Sequence, residues 1–484
     1  MTSHEQERAP GMIPRREFTR RAGLATLSFA LGGCASGLKI PEKKPNIILI
    51  LIDDLGWKDV GFMGSRYYQT PNIDRLSREG MMFTDAYAAA PNCAPSRACL
   101  LTGMYTPRHG IYTVNSSERG DARHRKLIPT PNTTELAPGF ITVVEALHDV
   151  GYISASIGKW HLGNDPGRGP LSQGFDLNIG GGESGHPPSH FSPYGLRTLP
   201  DGPEGEYLTD RLTDEAIRFI ETSGEQPFFL FLTHYAVHTP VQAPDEITAL
   251  YQDVPPSNGQ NDPAYAAMIE SVDTGIGRLL DALDTAGQTD NTVIIFCSDN
   301  GGHGGKTSME PLRGSKGMLY EGGIRSPMIV RWPGQIEAGS SCSEPVIMVD
   351  FLPTILELAG GALPSGQPAD GVSLVPLLKG RSEFDREAIF WHFPVYLEAY
   401  AGMQGEWRTT PVGAVRAGHW KLIEFFEDGQ LELYNLLDDI GEKNDLSQAL
   451  PERRDELHLL MRDWREKSGA PVPVALNPLY SPDT

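Results

Sequence analysis

The stretch NIILILIDD, residues 46–54, decides the fold. It is short, apolar and rich in β-branched side chains, as expected of a strand covered on both faces, and two acids end it. Comparable runs recur at Ile153–Ile157, Phe228–Leu232, Thr292–Cys297 and Met328–Val330, with helical patterns between them. Thr142 followed by Glu145 forms a capping box, and Gly151 closes that helix before the next strand. In Ala264–Ala286 the set Ile269, Val272, Ile276, Leu279, Leu280 and Leu283 repeats at helical spacing. Alternating strand and helix predicts an α/β fold, a mainly parallel mixed sheet sandwiched by helices. From about residue 380 the pattern changes. Ala388–Phe393, Val412–Arg416, Trp420–Phe426 and Gln430–Tyr434 read as short strands, the last two joined through Asp428-Gly429, and a helix over Pro451–Lys467 follows. This predicts a smaller C-terminal α+β unit around an antiparallel sheet.

A chain of 484 residues can bury one large core and carry a smaller second unit. Its formal net charge of −21 argues against nucleic acid and anionic membrane surfaces as partners. Five cysteines at irregular spacing make neither a disulfide framework nor a zinc motif. Cys99 and Cys297 read as packing residues, and Cys342 has no assigned role.

Residues 15–21, RREFTRR, precede the mildly apolar AGLATLSFALGG and Cys34. Charged, apolar and small residues in that order make a secretory signal, with an apolar part too short to span a bilayer. Arg15, Arg16 and Phe18 resemble a twin-arginine signal, and Leu31-Gly32-Gly33-Cys34 resembles a lipoprotein box whose cysteine becomes a lipid anchor. The expected product is periplasmic or at the cell surface, tethered through Cys34. The expected organisation is a signal over 1–34, a linker over 35–44, a main domain over 45–379 and a C-terminal subdomain over 380–484.

Ligands of such sheets collect beyond the carboxyl ends of the strands, and those ends are polar here. Asp53-Asp54 closes the first run and Asp299-Asn300 closes VIIFCS. Carboxylates and an amide converging at one edge call for a hard cation with oxygen ligands, calcium or magnesium. A second cluster is Cys93-Ala94-Pro95-Ser96-Arg97. Pro95 suits a first helical turn, which sets Cys93 at a helix N-terminus favourable to anions, with Arg97 on the same face.

The sequence C-x-P-S-R, followed by Thr102-Gly103, resembles the signature of the formylglycine-dependent sulfatases of the alkaline phosphatase-like superfamily. The resemblance extends to Asp53-Asp54, Gly158-Lys159-Trp160-His161, His238 before Thr239-Pro240, Ser298-Asp299-Asn300-Gly301, Lys316 in Gly314-Ser315-Lys316-Gly317, and a C-terminal WKLI…LYNL pattern. It covers nearly the whole chain after residue 45. It implies that a formylglycine-generating enzyme oxidises Cys93 to an aldehyde. Asp53, Asp54, Asp299, Asn300 and the modified Cys93 would hold a cation, calcium before magnesium. It further implies that Arg97 and Lys159 hold sulfate and the modified residue. His161 would take the proton whose loss expels sulfate. The leaving oxygen needs an acid, for which His238 and Lys316 are the candidates, with His234 a nearby rival. Lys159 and His161 alternate with Trp160 on a segment expected to be extended, so both can face the site.

The implied substrate is a sulfated carbohydrate or an aryl sulfate. Rival readings are a phosphonate monoester or phosphodiester hydrolase of the same superfamily, and a catalytically silent protein that binds sulfated glycan. The stretch Gly180–Tyr207, with His186 and His190, is expected to read the substrate. Twin-arginine cargo is exported folded, so conversion of Cys93 is expected in the cytoplasm.

Overall fold

The computed structural model describes residues 43–381, 384–401 and 403–481. The twin-arginine stretch and Cys34 lie outside the described residues. The opening run forms β1 (Asn46–Ile52), buried at every position. Around it assemble β2 (Met81–Phe83), β3 (Ile153–Gly158), β4 (Leu177–Ile179), β5 (Phe228–His234), β6 (Thr292–Ser298), β7 (Met328–Arg331) and β8 (Ser340–Cys342). Their order in the eight-stranded sheet is β4-β3-β5-β1-β6-β7-β2-β8. The five strands from β4 to β6 run parallel, whereas β7 pairs antiparallel with both β6 and β2. The mainly parallel mixed sheet read from the sequence is therefore present.

Even-numbered β1 residues Ile48, Ile50 and Ile52 join one core with Leu212 and Ile220 of α4 (Leu208–Ser223) and with Val272 and Ile276 of α5 (Pro263–Thr285). Odd-numbered Ile47, Leu49 and Leu51 are equally buried, so both faces of the strand are covered. Helix α5 starts where Asp262 accepts hydrogen bonds from the Ala264 and Tyr265 amides. The Thr142–Glu145 capping box is formed, but its helix, Val143–His148, ends earlier than expected and reaches Gly151, at φ 84°, through a turn.

The C-terminal sheet is antiparallel, β9 (Ile389–Phe393), β12 (Val412–Ala417), β13 (Trp420–Phe425) and β14 (Leu431–Asn435) in that order, followed by a helix over Pro451–Ser468. A small hairpin, β10 (Leu397–Glu398) and β11 (Trp407–Thr409), leaves this unit between β9 and β12. Buried charges join the unit to the main sheet region. Lys421 Nζ lies 2.9 Å from Glu321 Oε1 and 2.8 Å from Glu442 Oε1, and Arg416 Nη2 lies 2.5 Å from Asp85 Oδ1. Loss of one member of such a buried set leaves its partner's charge uncompensated, at a cost of about 3–5 kcal/mol. No helix of the described residues is long and apolar enough to cross a membrane.

Candidate active site

Register alone brings the acidic strand tips together. Ile52 pairs with Ser298 of β6 and with His234 of β5, so Asp53-Asp54, Asp299-Asn300 and the chain leading to His238 emerge side by side. Backbone bonds hold them there: Asp299 N donates to Ile52 O at 3.1 Å, and Asp53 N donates to Ala236 O at 3.1 Å. Asp54 N donates to Asp299 Oδ1 at 3.2 Å. Asp54 sits at φ 61°, a left-handed conformation that aspartate tolerates better than most side chains.

Cys93 opens α2 (Cys93–Thr102), a helix buried at all ten positions. Its Sγ lies 4.0 Å from Asp54 Oδ1, and Lys316 Nζ lies 3.2 Å from that sulfur and 2.6 Å from Asp54 Oδ1. Lys316 belongs to a pinned stretch of chain: its amide donates to Gly302 O at 3.0 Å, and the Gly317 amide donates to Pro91 O at 2.8 Å. Lys159 Nζ lies 2.6 Å from Asp53 Oδ2. The fork of Arg97 is fully engaged, with Nε and Nη2 donating to Asp299 Oδ2 at 3.0 and 2.8 Å and Nη1 donating to Lys159 O at 2.7 Å. Arg97 thus orients Asp299 and the Lys159 backbone.

Ligand atoms of Asp53, Asp54, Cys93 and Asp299 all lie within 4.8 Å of one another. Asp53 Oδ1, Asp54 Oδ2 and Asn300 Oδ1 are buried without a hydrogen-bond partner, while Asn300 Nδ2 donates to Asp54 Oδ1 at 2.8 Å. Buried oxygens left without donors carry a large desolvation cost. An oxygen-liganded cation at this point would satisfy them, so the residues fit calcium or magnesium.

Burial, then the charge of Asp53, pushes the Cys93 thiol up to about 12. Unmodified Cys93 is therefore a protonated thiol at neutral pH and a poor nucleophile. Burial opposes ionisation of Asp54, yet the charges of Lys316, His238 and Lys159 hold it well below the usual carboxylate range. Burial and the Asp53 charge push Asp299 upward, against Arg97 and Lys159. Burial also opposes the charge on Lys316, but Asp54 keeps it well above the ordinary lysine range. His161 is driven well below its ordinary value by burial and then by Lys159, Arg97 and Lys316, so it is a neutral imidazole with Nδ1 unpartnered.

The two acid candidates differ. His238 is pushed down to about 3 by burial and Lys316, and its Nδ1 lies 2.7 Å from Thr239 O. A carbonyl oxygen only accepts, so Nδ1 carries the hydrogen of this neutral ring and Nε2, 3.6 Å from Asp54 Oδ2, has none to give. Lys316 keeps its proton. His234 is buried at the end of β5 and neither ring nitrogen has a hydrogen-bond partner, which removes it as a rival. The segment after β3 is not extended as expected: Gly158 lies at φ 103° and His161 at φ 64°, and this reversal is what turns the His161 ring. Trp160 points away, with Nε1 donating to Arg168 O at 3.1 Å.

The expectation for Gly180–Tyr207 is half corrected. His190 is fully buried, its amide donating to Gln242 Oε1 at 2.8 Å and its Nε2 lying 3.3 Å from His238 O, so it braces His238 and cannot meet substrate. His186 is exposed and stacks on His238 with ring centroids 6.1 Å apart. Asp59 was not singled out from the sequence. Its buried carboxylate accepts from Gly56 N, Tyr265 Oη and Thr307 Oγ1 at 2.9, 2.9 and 2.7 Å, tying the chain after Asp54 to the glycine-rich stretch that carries Lys316. A lone acid in a loop gives no sequence signal for that role. A cavity of about 780 Å³ lined by Lys58, Asn258, Arg313 and Lys443 shares no residue with the cluster.

The family model described as Sulfatase matches residues 45–362. The chain belongs to the sulfatase family. It is an enzyme that hydrolyses sulfate esters. A second model, described as N-sulphoglucosamine sulphohydrolase, C-terminal, matches residues 314–466. A sulfatase of Formosa agariphila is 32% identical, the match covering 90% of this sulfatase and 91% of the relative. The N-acetylgalactosamine-6-sulfatase of Mus musculus is 36% identical over 75% of this chain and 71% of its own. Among solved structures, that of Ps i-CgsB in complex with k-i-k-neocarrahexaose matches with a TM-score of 0.72 and 33% identity, covering 87% of this chain and 93% of the other.

Proposed function

We propose that this sulfatase removes sulfate from a sulfated carbohydrate, using formylglycine made from Cys93 beside a divalent cation, calcium in preference to magnesium. The observation that carries the reading is the meeting of Cys93 Sγ, three carboxylates and Lys316 Nζ at the tips of two paired strands. The carbohydrate class rests on the relatives, one named for N-acetylgalactosamine-6-sulfate and one holding a neocarrahexaose.

A bound cation would be held by Asp53, Asp54, Asp299, Asn300 and residue 93, and would lower the negative charge felt by an incoming sulfate. Hydrated formylglycine supplies one hydroxyl to attack sulfur and a second whose deprotonation expels sulfate and restores the aldehyde. Asp299, oriented by Arg97, accepts the proton of the attacking hydroxyl as the S–O bond forms. Lys316 gives its proton to the departing alcohol oxygen as the ester S–O bond breaks. Neutral His161 then takes the proton of the second hydroxyl. Lys159 and Lys316 bring positive charge to the sulfate oxygens, and Lys316 also fixes the position of Asp54. A positioned acid or base contributes about 10²–10⁴-fold.

Residues 45–379 are proposed as the catalytic domain, completed by the subdomain over 380–484. Export by the twin-arginine route, tethering at Cys34 and cytoplasmic conversion of Cys93 by a formylglycine-generating enzyme complete the reading, supported by the N-terminal sequence order. Native mature protein starting downstream of Cys34 would remove the tether. A cytoplasmic precursor without aldehyde would overturn the order of conversion and export.

The deciding experiment is release of sulfate by aldehyde-bearing, calcium-loaded enzyme from defined sulfated oligosaccharides, run beside an aryl sulfate and a phosphodiester. Higher kcat/KM on the phosphodiester would favour the phosphohydrolase, and no turnover of any ester would favour a glycan-binding protein.

A further inference from the structure

The hairpin β10–β11 reaches the active site from the C-terminal unit, and its residues match none of the catalytic roles. Tyr400, in its loop, donates from Oη to Lys316 O at 2.8 Å. Arg408, on β11, directs Nη1 toward the same carbonyl at 3.4 Å and lays its guanidinium over the Tyr400 ring, 3.4 Å from the centroid. The His303 ring lies 4.1 Å from that of Tyr400. These groups stand one lysine side chain away from Cys93, because Lys316 spans the distance between them.

Arg408 is unusual in what it lacks. Among the described residues, every other arginine that is not exposed pairs with a carboxylate, but Arg408 has none in salt-bridge reach and its buried Nε has no hydrogen-bond partner. Glu398, on the facing strand, is taken by Arg119 Nε at 2.8 Å and by the Gly120 amide at 3.2 Å. The hairpin is braced from outside by that pair, by Trp407 packed against Gly120, and by Glu406 with His124. A rigid support holds a partly buried guanidinium with no anion on it. Planar bidentate recognition of an oxyanion is what such a fork does best, and the Tyr400 ring beneath it holds the guanidinium plane in place.

We propose that Arg408, with Tyr400 and His303, forms a subsite for a second oxyanion of the substrate, a sulfate or a carboxylate carried one sugar position from the ester that is cleaved. The inference rests on the carbohydrate reading above and goes beyond it, because it predicts a preference for polyanionic saccharides. A cavity of about 480 Å³ lined by Gly304, Ser315, Met318, Tyr400 and Met403 shares Tyr400 with the subsite and leaves room for the neighbouring sugar.

The test uses the full mature enzyme and four substrates: an aryl sulfate, a monosulfated disaccharide without uronic acid, the same disaccharide with a second sulfate, and a monosulfated disaccharide containing a uronic acid. The readout is the ratio of kcat/KM on each saccharide to that on the aryl sulfate, in wild type, Arg408→Gln and Arg408→Lys. A charge-assisted bidentate pair sets the scale, so Arg408→Gln lowers the ratio about 10- to 100-fold for whichever dianionic saccharide is the preferred one. The monosulfated disaccharide without uronic acid changes little in its ratio, and Arg408→Lys recovers part of the loss. The dianionic saccharide that responds identifies sulfate or carboxylate as the second group. Equal losses on all four substrates, or unchanged ratios with saccharide turnover intact, overturn the subsite alone. A wild type that cleaves the aryl sulfate and no saccharide overturns the carbohydrate reading and the subsite with it.

Discussion

Gly185→Ala tests the role of His161 without touching any charged residue. A Cβ at position 185 would lie 2.4 Å from His161 Cε1 and 2.7 Å from Nε2, whereas ordinary contact begins near 3.4 Å. The imidazole must therefore retreat by about 1 Å, and a misplacement of that size at a reacting group costs about 10²-fold in rate. Gly185 is absent from the residues at positive φ, so alanine strains no backbone there and the fold keeps its stability. If His161 takes the proton that expels sulfate, the loss falls on the second half of the reaction. Stopped-flow measurement with an aryl sulfate should then show a burst of about one equivalent of phenol, followed by turnover slowed roughly 100-fold, about 2.7 kcal/mol in barrier. Gly139→Ala, where no atom lies within 4 Å of the new methyl group, is the control and stays near wild type. A variant within threefold of wild type would refute the placement of the ring, and a 100-fold loss with no burst would refute its assignment to the second half.

Cys93→Ala should abolish turnover. Wild-type sequence produced without a formylglycine-generating enzyme should be as inactive, because a thiol pushed up to about 12 supplies almost no thiolate at neutral pH; a carbonyl-reactive probe and sulfate release checked together decide this. Chelation of divalent ions should remove activity, and calcium should restore it better than magnesium. Calcium at 100 times its Kd should add about 2.7 kcal/mol to unfolding stability in denaturant titration, a gain absent in Asp54→Ala. His109, His234 and His392 are pushed by burial down to about 3, 4 and 4. They stay neutral in the fold and protonate in the unfolded chain below about pH 6.5, so their contribution is complete above that pH and declines as pH falls toward 4. Denaturant titrations between pH 7.5 and 4.5 should show stability falling by up to about 1.4 kcal/mol per pH unit for each of them, and His234→Leu should flatten that slope by one group's share.

The parts of the site that could be read from sequence are those fixed by strand ends. An apolar run that stops at Asp53-Asp54 or Asp299-Asn300 announces its own carboxyl tip, and parallel register does the rest. Cys93 was legible for a similar reason, since Pro95 marks a first helical turn. His161 was legible as a residue but not in its geometry: a left-handed φ at histidine leaves no trace in composition, and alternation predicted an extended chain. His190 reads like any loop histidine, and only packing shows it buried against Gln242 and His238. Tyr400 and Arg408 could not be placed, because two- and three-residue strands carry no periodic signal and their target, Lys316, is far away in the chain.

The acidity of the chain and its anionic substrate are reconciled at short range. A net charge of −21 spread over the molecule is screened within about 8–10 Å in physiological salt, so distant acids contribute little to the field at Cys93. What substrate meets is set by Asp53, Asp54 and Asp299 against Arg97, Lys159 and Lys316, all buried or nearly so, with His161 and His238 neutral. Three negative charges against three positive leave that set with no net pull on a sulfate monoester. A divalent ion on the unpartnered oxygens would tip the balance by two positive charges. In this arrangement a bound ion would decide whether an anion enters the site at all. The acids that would hold the ion come from strand tips that could equally have stood in a neutral or basic protein, which is why bulk charge carried so little information about the substrate.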